Sequence, residues 1–144
     1  MERQKGDDRK MAGGTLSDFR DTGLIFQEAC NKTIASVRLE KGERTEDGLI
    51  IHFDDGHALR IWDDGQSCCE LRYMTTDDDL RPFVGARFLG AEVLPAPNVP
   101  DEWGEHEVAF LVVRTSLGTF TIETHNEHNG YYGGFGVAVE EIGE

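Results

Sequence analysis

Basic residues are nearly missing from the last two thirds of this chain. After residue 44 there is no lysine, and five arginines (Arg60, Arg72, Arg81, Arg87 and Arg114) stand against twenty acids, a net of −15. The first 44 residues carry nine Lys or Arg against eight acids, a net of +1, and the whole chain stands at −14. A surface so negative repels a nucleic-acid backbone, which argues against ordinary DNA or RNA binding. Each arginine kept in such a body either pairs with a neighbouring carboxylate, the common surface arrangement, or holds an anion. Cysteine is scarce as well. Three occur in 144 residues, and Cys68 and Cys69 are adjacent. Vicinal cysteines are poor material for a disulfide framework, so the expected compartment is reducing, the cytoplasm. No apolar run approaches the roughly 20 residues of a membrane helix, and Met1-Glu2-Arg3-Gln4-Lys5 leads into no apolar signal region.

What is present reads as one β-rich domain. A chain of 144 residues can bury a core without staples. Residues 1–14 have the composition of an untethered tail, with Met11 as an alternative start, and residues 15–144 form the domain. Ser17 or Asp18 is positioned to cap a short helix on which Phe26, Cys30 and Ile34 recur four apart. Ala35, Val37 and Leu39 then alternate with Ser36, Arg38 and Glu40 as a strand. The segments 49–53 and 58–62 flank Asp54-Asp55-Gly56-His57, a hairpin signal because Asp-Gly tolerates positive φ. Asp63-Asp64-Gly65-Gln66 reads as a second turn, residues 76–80 as a capped, acid-rich helical turn before Pro82, and residues 87–94 as strand. Val108 to Val113 is apolar on both faces and belongs in the middle of a sheet. Thr119 to Thr124 alternates, with Phe120 and Ile122 on one face, and the two meet at Ser116-Leu117-Gly118. Val137-Ala138-Val139 supplies a last strand. The predicted fold is mainly β, a strongly bent antiparallel sheet with one or two short helices.

Three chemistries can be drawn on these residues. His125-x-x-His128 with Cys68 and Cys69 offers nitrogen and sulfur for zinc, but no Cys-x-x-C pair exists and the spacing matches no standard site. A Cys68 or Cys69 thiolate with His125 or His128 as base lacks an electropositive setting and any local nucleophile signature. Non-covalent binding fits better. Residues 125–135 crowd histidines, asparagines, glycines and aromatics directly after a strand, while Arg72 and Tyr73 follow the double cysteine and face opposite sides if extended. Arginine clamps phosphate, rings stack on bases and Asn reads polar edges. The bland alternative makes Tyr131, Tyr132 and Phe135 core or interface residues and Asn129-Gly130 a turn. An acidic DNA mimic is a further option, although most acidic faces serve solubility.

The order Asp-Gly-Gln-Ser-Cys-Cys-Glu (64–70), Asp79-Leu80 with Val84-Gly85, a strand ending in Glu92, an apolar strand, a glycine turn and Asn-Gly-Tyr-Tyr resembles a family of small uncharacterised bacteriophage and prophage proteins. Cys-Cys-Glu with Asn-Gly-Tyr-Tyr is that family's signature, and the resemblance spans about residues 33–140. More distantly, the layout is similar to phage anti-Thoeris sponges, which capture cyclic ADP-ribose-type signals, bind without cleaving and assemble as oligomers. The resemblance implies a non-enzymatic binder of a nucleotide-derived immune signal, with no catalytic residue, cofactor or metal, no nucleic-acid or membrane partner, and a homo-oligomeric state. A phage accessory or structural protein without a small ligand is the alternative. On this reading Arg72 neutralises phosphate, Tyr131 or Tyr132 stacks on adenine, and Asn126 or Asn129 bonds base or ribose. Glu127 orients a ribose hydroxyl or His128, and Tyr73 completes the candidate contacts. Arg72→Ala is then expected to abolish affinity with little loss of fold, and Phe110→Ala to unfold the domain by opening a core cavity.

Overall fold

The computed structural model describes residues 22–42, 46–64, 70–95, 99–101, 104–128 and 135–143. The chain begins there with a helix, α1 (Thr22–Ala29), and continues through β1 (Ile34–Glu40), β2 (Gly48–Phe53), β3 (His57–Asp63) and β4 (Glu70–Thr75). A 3-10 turn, Arg81–Phe83, precedes β5 (Phe88–Pro95), β6 (Val99–Asp101), β7 (Gly104–Thr115), β8 (Gly118–His128) and β9 (Val137–Gly143). All pairings between named strands are antiparallel. The strands divide between two sheets, one ordered β1-β2-β3-β9 and one ordered β4-β8-β7-β5, with β6 extending the β5 side of the long strand β7. The mainly antiparallel β class therefore holds.

The strand signals act as the sequence predicts where both faces of the pattern agree. The β2–β3 hairpin turns at Asp54-Asp55-Gly56, with Gly56 at φ 93° and the Asp55 carboxylate accepting the His57 N–H at 3.0 Å. The doubly apolar strand β7 lies between β8 and β5, and the β7–β8 hairpin closes at Thr115↔Gly118. Along β8, Phe120 and Ile122 are buried and alternate with half-buried Thr121 and Glu123. Ser17, Asp18 and the tail lie outside the described residues.

Simple period-2 reading fails at two bulges. Ile34 pairs Phe53 and Ser36 pairs His52, so Ala35 is an extra residue that shifts the phase. Ile34 and Val37, an odd step apart, thereby both pack on the core, while Ala35 is exposed. Leu89 is the extra residue between Phe88 and Gly90 in the same way, which sends Phe88 and Val93 inward together. The helix prediction is corrected twice. Ile34 starts β1 rather than ending the helix, and residues 76–80 are not helical. Asp79 instead accepts the Arg81 N–H at 3.1 Å at the start of the 3-10 turn, where Pro82, lacking an N–H, fits without loss.

One hydrophobic cluster draws on both sheets. Leu49, Ile51, Phe53, Leu59 and Ile61 come from the first, and Met74, Val93, Leu111, Val113, Phe120 and Ile122 from the second. Burying each such side chain contributes about 1.5–3 kcal/mol. Ala29 of α1 and Phe135, just before β9, join the same cluster. Phe135 is thus a core ring rather than a recognition face, because Val137 and Val139 that follow it also pack inward.

Candidate functional site

The second sheet brings the two candidate stretches to one end. β4 begins where the double cysteine ends, β8 ends where Asn129 begins, and Glu70 pairs His128 across the ladder. Cys68, Cys69, Asn129, Tyr131 and Tyr132 themselves lie outside the described residues. The other candidates divide by strand alternation. In register, Arg72 pairs Asn126 and Tyr73 pairs His125. Successive side chains on a strand point to opposite faces. Arg72, Asn126 and His128 accordingly face the first sheet, whereas Tyr73 and Glu127 face away from it. They form two sites, not one.

The inner face is apolar at one end and polar at the other. Following β8, buried Phe120 and Ile122 give way to Thr124 and Asn126, both 0 % exposed, and His128, also buried. Arg72 Nη1 donates to both oxygens of Asp63 at 3.0 and 2.9 Å, and the two side chains are only 7 % and 5 % exposed. Asp63 Oδ1 also accepts the Gly136 N–H at 2.9 Å. Opposite, His128 Nε2 lies 3.3 Å from Glu107 Oε1. A recess of about 10 Å³ opens beside the Arg72 pair, bordered by Glu46, Asp47, Asp63, Tyr73 and Met74. Its wall holds three carboxylates to one guanidinium, so it is not a positive cavity. The expectation that Arg72 meets ligand phosphate with little role in the fold is corrected at its second half: the guanidinium is a buried tie between the sheets.

The outer face carries a cluster of titratable groups. Tyr73 stacks on His125 with ring centroids 4.5 Å apart and planes 6° from parallel. Its hydroxyl donates to Glu127 Oε2 at 2.5 Å. Burial, the hydrogen bond to Glu127 and that carboxylate's charge push the Tyr73 phenol up to about 12. His125 Nε2 meets Thr75 Oγ1 at 2.9 Å, and Thr75 Oγ1 donates to Glu123 Oε1 at 3.0 Å. His106 Nε2 faces His125 Nδ1 at 2.9 Å. Burial, and then the neighbouring His106, hold His125 below the usual histidine range, with Glu123 and Glu127 opposing in part.

Proton directions in this chain of contacts follow from donor capacity. Thr75 has one hydroxyl proton and gives it to Glu123, so it accepts the N–H of His125 Nε2. Neutral His125 then offers its Nδ1 lone pair to the Nε2–H of His106. His106, Thr75 and Glu123 escaped the sequence reading, which grouped His125 with His128. Those two are three apart on a strand and sit on opposite faces, so they cannot hold one ion together. The useful spacing was His125-x-Glu127, an even step, set against His106 in the neighbouring strand. Among the described residues no group of three His, Cys, Asp or Glu side chains forms a metal site, and no helix is long and apolar enough to cross a membrane. Cys30, at the end of α1, is exposed.

An apolar stripe shares this face. Val108, Phe110 and Val112 are half-buried on it, and Leu94, opposite Phe110, and Leu71, opposite Glu127, are 40 % and 56 % exposed. Phe110 therefore points away from the core, and the predicted core cavity belongs to its neighbour Leu111, which is fully buried.

Residues 27–137 match the family model described as a domain of unknown function, DUF7448. No curated protein and no solved structure matches the chain.

Proposed function

The chain belongs to the DUF7448 family, a premise that names no activity, and from the geometry we propose that it is a non-enzymatic binding protein that sequesters a small nucleotide-derived ligand. The ligand is of the cyclic ADP-ribose type, and its capture would blunt a host defence signal on behalf of a phage or prophage. The observation that carries this reading is the polar end of the inner face, where Thr124, Asn126, His128 and the Arg72–Asp63 pair are buried together beside the apolar cluster. Burying polar groups costs free energy that an apolar lining would not. Such an end suits a site that has to read donors and acceptors. It also adjoins the start of β4 and the end of β8, from which the Cys-Cys-Glu and Asn-Gly-Tyr-Tyr stretches depart. The matched pairs, guanidinium with carboxylate and imidazole with carboxylate, suit holding a ligand better than activating a nucleophile.

The test is calorimetric titration of the full chain with cyclic ADP-ribose isomers and cyclic di- and trinucleotides, followed by heat release and mass analysis of what was bound. The expected result is saturable binding of one class and its return chemically intact. Tyr131→Ala or Tyr132→Ala should weaken it by about 1–3 kcal/mol if either ring stacks on a base. A folded protein that binds none of the panel, or that returns cleaved product, overturns the proposal.

The apolar stripe of the outer face favours a second reading, an accessory or structural protein that works through protein contacts. Patches of this kind mark interfaces. Size-exclusion chromatography with light scattering separates the two. A stable oligomer dispersed by Phe110→Glu, with no affinity for any nucleotide, supports the contact role alone.

A further inference from the structure

We propose that His106 and His125 form a two-imidazole site for a borderline divalent transition metal, zinc, nickel or copper, on the outer face of the second sheet. The site is separate from the polar inner end discussed above. It arises from register: His106 pairs Glu127 and His125 pairs Val108, so the two histidines sit diagonally on one face of adjacent strands. Their rings are 5.1 Å apart and tilted by 33°, and His106 Nε2 and His125 Nδ1 point at one another at 2.9 Å.

Two nitrogens so close share one proton, which a metal ion would displace. An ion held about 2.0–2.1 Å from each nitrogen in tetrahedral geometry sets them about 3.3 Å apart, so the pair has to open by about 0.4 Å and the rings have to turn in their planes to aim both lone pairs at the ion. Imidazole is a common ligand for zinc, nickel and copper. Metal-bound histidines almost always have the far ring nitrogen tied down, which fixes both tautomer and ring direction. His125 already has this arrangement through Thr75 and Glu123. Its plane is fixed as well by the stacked Tyr73 ring, itself anchored on Glu127. The carboxylates of Glu123 and Glu127 on the same face favour a cation, and Lys41 is matched by Asp47 at 2.7 Å. The His125 side chain is 13 % exposed, open to solvent yet partly shielded. Two protein donors leave the remaining coordination positions to water or to an incoming ligand.

The experiment titrates the tag-free full chain with zinc alone by calorimetry and with Cu²⁺ alone by electron paramagnetic resonance. Wild type should take up one zinc ion per chain and show copper coupled to two nitrogens. His106→Gln and His125→Ala should each weaken zinc at least about tenfold and reduce the copper pattern to one nitrogen. Thr75→Val, which removes the acceptor for the His125 N–H, should weaken zinc about tenfold while keeping both nitrogens on copper. His57→Ala, at the exposed β2–β3 turn, should change nothing. Absence of zinc uptake at millimolar concentration, undiminished uptake in both the His106 and His125 variants, or loss only in His57→Ala would overturn the assignment.

Discussion

Arg72→Ala separates a binding residue from a structural one. The guanidinium and the Asp63 carboxylate are 7 % and 5 % exposed and joined through two contacts of 3.0 and 2.9 Å. Truncating the arginine takes from Asp63 its paired counter-charge in a nearly dry setting, while the Gly136 N–H at 2.9 Å stays. Removing one partner of a buried pair costs about 3–5 kcal/mol, because the survivor keeps its desolvation penalty and loses its counter-charge. Against a typical domain stability of about 5–15 kcal/mol, that is roughly a fifth or more of the total. The tie also crosses between sheets. Asp63 ends β3 of the first, Arg72 lies in β4 of the second, and Gly136 precedes β9, with its carbonyl accepting the Asp64 N–H at 2.9 Å. Urea unfolding of wild type, Arg72→Ala, Asp63→Ala and the double variant gives the cycle. Each single change should cost about 3–5 kcal/mol, and the double clearly less than their sum, since both truncations remove the same pair. A loss below about 1 kcal/mol in Arg72→Ala, or strict additivity, would refute the buried-pair argument.

Two further outcomes follow from packing and from charge. Leu111→Ala should cost about 2–5 kcal/mol, while Phe110→Ala, on the outer face, should cost well under the 3–5 kcal/mol of a buried Phe, reversing the order that the larger ring alone implies; urea midpoints decide it. Burial pushes the Asp47 carboxyl up, but hydrogen bonds from Lys41 and from the Met74 and Gly42 N–H groups outweigh it and hold it below 3.8. A depressed carboxyl contributes stability that is present above its unfolded value and is lost as pH falls through the folded value. Wild type should therefore lose more stability than Asp47→Asn between pH 5 and pH 2, read as the change in urea midpoint; equal losses would remove Asp47 from the acid response.

Most of the fold was legible because its signals were local. Asp-Gly at 55–56, the Ser-Leu-Gly turn and the doubly apolar run at 108–113 each specify a hairpin or a central strand without reference to distant chain. The departures come from residues that break a period without leaving a compositional mark. Ala35 and Leu89 are ordinary strand residues, and only the partner strand's register reveals that each is extra. The acidic run at 76–80 has the composition of a helix start. Its carboxylates are spent elsewhere, Asp79 on Arg81 and Asp78 on the Thr121 N–H at 2.7 Å in β8. A tertiary hydrogen bond of that kind has no trace in local sequence.

The candidate site was legible in composition and misjudged in arrangement, and one piece of geometry accounts for both. Residues 125–128 hold two histidines, an asparagine and a glutamate, and the sequence treated them as a single constellation. A strand distributes them: His125 and Glu127 to the open face, Asn126 and His128 to the interior. The same parity splits Arg72 from Tyr73. What joins residues across a sheet is the ladder, so the partners that matter are those opposite, Thr75 and Tyr73 on β4 and His106 on β7, all far away in sequence. Once β8 is seen to lie between those two strands, the even-numbered side becomes a buried polar end and the odd-numbered side an imidazole–phenol cluster. These two environments ask for different chemistry. The interior one, buried and lined with donors and acceptors, is suited to holding shape around a polar ligand. The open one, with two imidazole nitrogens facing one another and the far nitrogen of His125 tied down, is suited to exchanging a proton for a metal ion. Because the two lie on opposite faces of the same strands, a variant in one should leave the other's readout unchanged so long as the sheet is intact. Arg72→Met can therefore be used to weaken the interior while zinc uptake reports on the exterior, and loss of both together would mean that the second sheet itself had come apart.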